Sequence, residues 1–464
     1  MSLLGIDIGT SFIKGAVLDL DKRCFGHVRR IPFPEPISGL NPLLCEYEPD
    51  QVINAVWRMI SDLAEVAEKC EGLVVCTQMA SMTLMGADGR VRSNCIGWRD
   101  QRALMQHPSG RGRYFDVYKE RIDDDQRRSL GNEMPVGMPG CFLFWIAEQG
   151  RKDTGLTPLP LGDFVLQSLC SSAAGIEHTN AMAYGLLDLK TMQWYREVIL
   201  QLGLDVFIWP SLVPQGSVVG FINLKGRKVP CYTPIGDYQC ALAGALLGKD
   251  ELSINISTGS QVSRITRALE FGDYQSRPFF DEHFTNTLSH LPAGRSLNVL
   301  VSLLTELGTR SGAKVADPWK LIDAEAKSAE HSDLTVDLAF YPGPCGDHGG
   351  IFNIHEKNVT VGALFRAAFE NMADNYWFAA SRIWSSHSWE RVVLSGGLAN
   401  KLPSLYEVLK ERFGVQLQLC SCPEEALRGL LLMAMTFTGQ CKTVMDAMDD
   451  LKSQDGKTHE TQLE

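Results

Sequence analysis

The stretch Gly5-Ile-Asp-Ile-Gly-Thr-Ser-Phe-Ile-Lys-Gly-Ala-Val-Leu-Asp19 constrains the fold more than any other in the chain. An apolar run (Leu3, Leu4, Ile6, Ile8) carries one acid, Asp7, breaks at Gly9-Thr10-Ser11, and resumes from Phe12 to Leu20. Two apolar runs split by a few small residues form two antiparallel strands joined by a tight turn. Small residues let backbone N–H groups approach an anion closely, and Thr10 and Ser11 add hydroxyl donors. Asp7, at the mouth of the turn, is placed to hold a hydrated Mg²⁺ beside a polyphosphate. A Walker-type loop is excluded, because no Gly-Lys-Ser/Thr closes the turn and no helix follows directly. The same residues also suit a buried first hairpin with a capped, ligand-free turn.

A second copy tips that balance. Ser253-Ile-Asn-Ile-Ser-Thr-Gly-Ser-Gln-Val-Ser-Arg-Ile-Thr266 repeats the pattern, with Ile254 for Ile6, Asn255 for Asp7, Ile256 for Ile8 and Thr258 for Thr10. A repeat spaced by about half of 464 residues points to a duplicated domain, since solenoid periods are far shorter. Two small-residue turns facing each other across a cleft could hold a nucleotide's phosphates from both sides. Asn255 in place of Asp7 makes the copies unequal: one carries a metal-facing carboxylate, the other only hydrogen-bond donors.

The length calls for two domains, and 45% hydrophobic with 21% charged residues is an ordinary globular balance. A net charge of −11 without a Lys/Arg block argues against nucleic acid as partner. Thirteen scattered cysteines, without zinc spacing, suit reduced thiols of a cytoplasmic protein. The N-terminus enters a strand at once, so no signal peptide is expected, and no apolar run reaches membrane-spanning length.

Along the chain, Asp50 reads as the cap of a helix to about residue 69, and Gly72–Cys76 as a buried strand ending at Thr77-Gln78-Met79. Cys95–Trp98 reads as a strand running into Asp100-Gln101-Arg102, and residues 108–132 as an exposed polar lobe. The Gly/Val/Lys-rich segment 215–230 reads as the hinge, 310–356 as loop-rich, and 358–384 as a long helix. Arg391–Asn400 is strand, glycine turn, then helix. Strands alternating with helices in both halves give an α/β fold with helices flanking mixed sheets.

In order, Gly5-Ile-Asp-Ile-Gly-Thr10, Trp98-Arg-Asp-Gln-Arg102, Gly236-Asp-Tyr-Gln239, Ile256-Ser-Thr-Gly259 and Leu394-Ser-Gly-Gly-Leu-Ala-Asn400 make the chain resemble the FGGY carbohydrate kinases. Among them it is most similar to the ketose kinases of the xylulokinase and sedoheptulokinase-like branch. The resemblance implies two actin-like (ribonuclease H-like) domains related by duplication, with an interdomain active-site cleft. It assigns 1–226 to an N-terminal domain with the sugar site and first phosphate turn. It assigns 227–464 to a C-terminal domain with the second turn and the adenosine site. ATP and Mg²⁺ are the implied cofactors, and a small-molecule sugar is the implied partner. The oligomeric state is left open, with a homodimer the general expectation.

Asp237 is the candidate general base: it ends a strand and starts a helix, so its carboxylate can face the cleft and accept a sugar hydroxyl's proton. From the residues alone it serves equally as a helix cap. Asp7 is the candidate Mg²⁺ residue. Thr10, Ser11 and Lys14 resemble the first phosphate loop, although Lys14 also suits an exposed strand cation. Thr258, Gly259 and Ser260 resemble the second loop, and Gly396, Gly397 and Asn400 the adenosine turn. Gln78, Met79, Trp98, Asp100 and Asn180 match sugar-site positions. Asp100 and Arg102, two apart on a strand, also suit a structural ion pair. Met79, Met82 and Met85 read as core.

Four departures stand against the family pattern: Ala80 for a His, His178 for an acid near Asn180, no Gly-Glu-Arg match in 342–350, and Arg428 for a small residue near adenine. The first two bear on which sugar is used, the others on nucleotide affinity or cleft closure. The expected activity is transfer of the γ-phosphoryl group to a hydroxyl of a ketose or polyol. Its rivals are a phosphohydrolase of the same superfamily, a heat-shock-type binding ATPase and an inactive sugar-binding member.

Overall fold

The computed structural model describes residues 1–67, 69–150, 155–170, 175–313 and 315–460. Two sheets repeat one plan. The first runs Val218–Leu224, Arg227–Tyr232, Leu73–Thr77, Ser2–Ile8, Phe12–Asp19, Cys24–Pro32, with Ile235–Gly236 also paired to Leu73–Thr77. The second runs Gln275–Pro278, Phe284–Leu291, Ser260–Thr266, Glu251–Ile256, Arg391–Ser395, Gln416–Leu419. In each, the hairpin strand pairs antiparallel on one side and parallel on the other: Ser2–Ile8 with Leu73–Thr77, Glu251–Ile256 with Arg391–Ser395. A long helix precedes the parallel partner in both, Pro49–Val66 in the first lobe and Val361–Ile383 in the second. Shared order and direction are what a duplicated domain predicts.

The first of these helices shows how local sequence sets an element. Pro49 occupies its first turn, where a missing N–H costs nothing. Val52, Val56, Met59, Ile60 and Leu63 recur at helical spacing and are buried against the sheet. Asp50 falls in the first turn, not at the cap, which is Glu48 without a side-chain bond.

A helix pair joins the lobes. Asp237–Gly244 and Glu425–Phe437 pack backbone to backbone: a Cβ on Gly244 would meet the Glu425 carbonyl at 1.8 Å, and one on Gly429 the Cys240 carbonyl at 2.0 Å. Around them one core takes in Leu3, Leu18 and Val74 of the first sheet with Ile265 and Val393 of the second.

Four expectations change. Residues 215–230 are no hinge; Val218–Leu224 and Arg227–Tyr232 form an edge hairpin of the first sheet, turning at Lys225-Gly226, both at positive φ. Residues 227–236, expected in the second domain, therefore pair with the first sheet. The polar segment 108–132 holds two short helices whose Tyr114, Val117, Tyr118 and Leu130 are buried in an aromatic core with Phe142, Phe144 and Tyr184. The loop-rich 310–356 contains the helix Pro318–Ser328. Among the described residues no helix is long and apolar enough to cross a membrane.

Candidate active site in the interlobe cleft

Parallel pairing places the key residues in a row. Ile8 pairs with Thr77, and Thr77 pairs with Gly236. Their successors Gly9, Gln78 and Asp237 therefore leave the sheet side by side, at the carboxyl ends of three parallel strands. That is where open α/β sheets bind ligands.

Asp7, only 6% exposed, lies beside Cys76 in the register, and the Cys76 thiol donates to its Oδ1 over 3.6 Å. Burial pushes its pKa up to about 6, against the pull of Lys14. Asp237 opens its helix and is half-buried. Burial first, then the charge of Asp7, pushes it up to about 7, while the amides of Tyr238 and Met79 pull it down. Two buried carboxylates in one cleft, one of them raising the pKa of the other, mark a candidate functional site. Asp7 Oδ2 has no hydrogen-bond partner among the described residues, so that oxygen is open to a hydrated ion. No cluster of three or more metal-ligating side chains occurs among the described residues.

The second hairpin faces the same space. Asp237, Tyr238, Asn255, Gln261, Ser395 and Glu425 line a cavity of about 220 Å³ between the lobes. Gly396 follows at φ +89, and a Cβ there would meet the Ile256 carbonyl oxygen at 2.4 Å, so the turn needs glycine. Gly397 and Asn400 are exposed there. Thr258 and Gly259 form the open turn, and Ser11 is exposed on the first.

Several expected residues do other work. Thr10 is not free: its hydroxyl donates to Gln78 Oε1 (3.2 Å) and accepts from the Trp98 indole (2.9 Å), tying the first turn to the end of the strand Leu73–Thr77. Lys14 is held at 2.7 Å by Glu424 of the other lobe, which also binds Arg30 at 2.7 Å. Ser260 turns its hydroxyl into the core, 2.7 Å from Tyr376, because it begins the return strand. Asp100 is fully buried; it binds Arg102 at 2.8 Å and the Cys45 amide at 2.8 Å, in a turn and not on a strand. Asn180 is 2% exposed and donates to the Pro234 carbonyl at 3.0 Å. Next to it, Glu177 accepts from Thr179, whose hydroxyl accepts the Gly236 N–H at 2.9 Å. This turn braces the strand that presents Asp237, and the acid beside Asn180 is Glu177, one position before His178. Arg428 ties its helix to Gly244, Ser421 and Cys420. Ala80 sits at φ +60, a strained place for a non-glycine beside a site.

Sequence reasoning passed over Glu424, Glu425, Cys76 and Tyr238. Glu425, buried enough that its pKa rises to about 7, opens the helix Glu425–Phe437, where acids are common for dipole reasons alone. The tandem Glu424-Glu425 was the one visible signal, and nothing local tied it to Lys14.

Residues 2–244 match the N-terminal domain of the FGGY family of carbohydrate kinases. Glycerol kinase 2 of Saccharolobus solfataricus is 23% identical over 304 residues, 62% of this chain but only 56% of that protein. The chain thus spans little more than half the length of that relative. Sedoheptulokinase of Mus musculus is 21% identical over 450 residues, 88% of this chain and 91% of that one. The crystal structure of gluconate kinase from Lactobacillus acidophilus superposes with a TM-score of 0.82 at 17% identity, covering 96% of this chain and 92% of that one. The fold is therefore the two-domain actin-like one.

Proposed function

This chain belongs to the FGGY family of carbohydrate kinases, and we propose that it transfers the γ-phosphoryl group of ATP to a hydroxyl of a ketose or polyol. The observation that carries this reading is the row Gly9, Gln78, Asp237, with a carboxylate of pKa about 7 at its end and two small-residue turns around it. At neutral pH Asp237 is poised to accept the acceptor hydroxyl's proton as the phosphoryl group arrives. Asp7 would hold Mg²⁺, which when bound neutralises phosphate charge. The backbone amides of residues 9–11 and 257–259 would meet the phosphates, and the turn at Gly396-Gly397 would take the adenosine. Gln78, whose Nε2 has no partner among the described residues, and Trp98, 42% exposed, would face the sugar. Closure of the lobes keeps water from the phosphoryl group.

The test is acceptor-dependent ADP production in a coupled assay over neutral and acidic sugars and polyols. Turnover of ATP that no acceptor changes would sink the kinase reading and favour a phosphohydrolase.

A further inference from the structure

One charged side chain beside Asp237 has no part in phosphoryl transfer as proposed. Arg277 lies on the strand Gln275–Pro278 of the second lobe, its side chain 13% exposed. Its Nε donates to Glu133 of the first lobe, and its guanidinium carbon stands 4.8 Å over the ring of Tyr238, the neighbour of Asp237. Burial lowers its pKa, but Glu133, Tyr238 and Asp237 together hold it above the ordinary arginine value, so the charge of Asp237 reaches it. Both Nη nitrogens lack a hydrogen-bond partner among the described residues. Neither is sealed in the interior as an orphan donor. A guanidinium fixed at one nitrogen, with its outer fork open beside the reacting carboxylate, is built to take a two-oxygen anion.

The surroundings carry the same sign. Gln275, two residues back on the same strand face, lines a cavity of about 880 Å³ between the lobes. Its wall holds Arg127, Arg128, Lys190 and Arg382 against two acids, Asp125 and Asp273. Those two acids already pair with Arg128 (3.1 Å) and Arg382 (3.8 Å). Arg127 pairs with Asp124 at 3.0 Å on its own exposed helix, a contact of little strength. Among the described residues the Lys190 ammonium meets only the ring of Phe271, at 6.0 Å. His290, also in this wall, has its pKa lowered by burial and by the charge of Arg277, against the pull of Glu133. In a chain of net charge −11, a basic wall leading to an open arginine fork is a local reversal.

We propose that the acceptor is a polyhydroxylated anion, with its reacting hydroxyl at Asp237 and a carboxylate or phosphate ester held by Arg277. This rests on the kinase reading above and narrows its substrate class. Arg277 is then the residue that sets acceptor specificity, and the basic wall draws the anion in.

Matched acceptors test it: gluconate against sorbitol, and ribulose 5-phosphate against ribulose, in the coupled ADP assay. The expected result is about 100-fold higher kcat/KM for one anionic member over its neutral partner, the scale of one or two charge-assisted hydrogen bonds. Whichever pair shows it identifies carboxylate or phosphate. Arg277→Gln should erase that preference through KM, with kcat changed much less. Because that variant leaves Glu133 unpaired, Glu133→Gln/Arg277→Gln is made beside it, and folding of both is read from thermal melts. Neutral acceptors used as well as anionic ones, or a preference that survives in the folded double variant, would overturn the inference and leave the kinase standing. If no acceptor of either kind raises ADP production, the kinase reading itself falls, and this one with it.

Discussion

The hairpin Ser2–Asp19 and the hairpin Glu251–Thr266 hold the same place in their sheets, yet the side chains around their turns are used in opposite ways. In the first, three charged or polar side chains near the turn are engaged, while Ser11 stays exposed. Thr10 bonds to Gln78 and Trp98, Lys14 to Glu424, and Asp7 to Cys76. In the second, Thr258 and Gly259 stand open, Asn255 bonds to Ser395 at 3.0 Å, and Ser260 looks inward. The register shows one cause. Asp7 pairs with Lys14, seven positions on, whereas Asn255 pairs with Gln261, six on, so the second turn is a residue shorter. Duplication kept the frame and divided the chemistry: charge in one copy, neutral donors in the other.

The largest effect should follow from removing the charge that ends the row. Asp237→Asn should lower kcat by about 10²–10⁴-fold, the range for loss of a general base, while ADP binding by calorimetry persists. In the parent, kcat/KM should fall below pH about 7, since the base works only when deprotonated. A variant that keeps turnover, or a profile flat from pH 5 to 8, would remove Asp237 as base. Next comes the exchange of the two turns. Asp7→Asn copies the second turn into the first and should cost about 100-fold in kcat/KM, with a higher Mg²⁺ requirement. Asn255→Asp added to it should not restore activity. A rescued double variant would break the comparison by making the turns interchangeable.

Much of this frame could be read from the residues, because it depends on short-range rules. Alternating apolar runs around small residues specify hairpins, and Gly236-Asp237 at a strand-to-helix junction specifies a carboxylate that leaves the sheet at a strand end. What could not be read depends on distant partners. Nothing local in Lys14 tells that Glu424, at the other end of the chain, binds it, and nothing in Asn180 tells that Pro234 does. The hairpin at 218–232 was obscured because an edge strand has one face in solvent, so Phe221 and Val218 are exposed and the apolar alternation is diluted. Asp100 and Arg102 were rightly paired but wrongly placed, since a tight turn brings i and i+2 together as well as a strand does.

A smaller effect concerns the clasp on the first turn. Lys14 and Arg30 are partly exposed cations that share Glu424, so their pairing across the lobes is worth about 1 kcal/mol. Glu424→Gln should free both for phosphate and lower the KM for ATP several-fold. Thr258→Val on the bare turn should raise that KM without changing the melting temperature. An ATP KM unmoved by Glu424→Gln would mean that the clasp does not compete with nucleotide.

The smallest effect is on stability, and it separates the hairpins by charge alone. Asp7 and Asp237 have folded-state pKa values of about 6 and 7, raised by burial from 3.8. The ligand-free folded state therefore binds protons more tightly than the unfolded chain does. Their contribution to stability is full below pH about 4 and is lost as pH rises through 6 and 7. Asp7→Asn should remove part of that slope and raise the melting temperature at pH 8 by about 1 °C for each kcal/mol of burial cost removed, the scale for 464 residues. Asn255→Gln, on a hairpin with nothing to titrate, should leave the slope untouched. Melts at pH 5 and pH 8 decide it: equal slopes in parent and Asp7→Asn would show that burial of this carboxylate costs the fold nothing. The cost, where it is found, is what Mg²⁺ binding at Asp7 would relieve, so saturating Mg²⁺ with ADP should narrow the gap between parent and variant at pH 8.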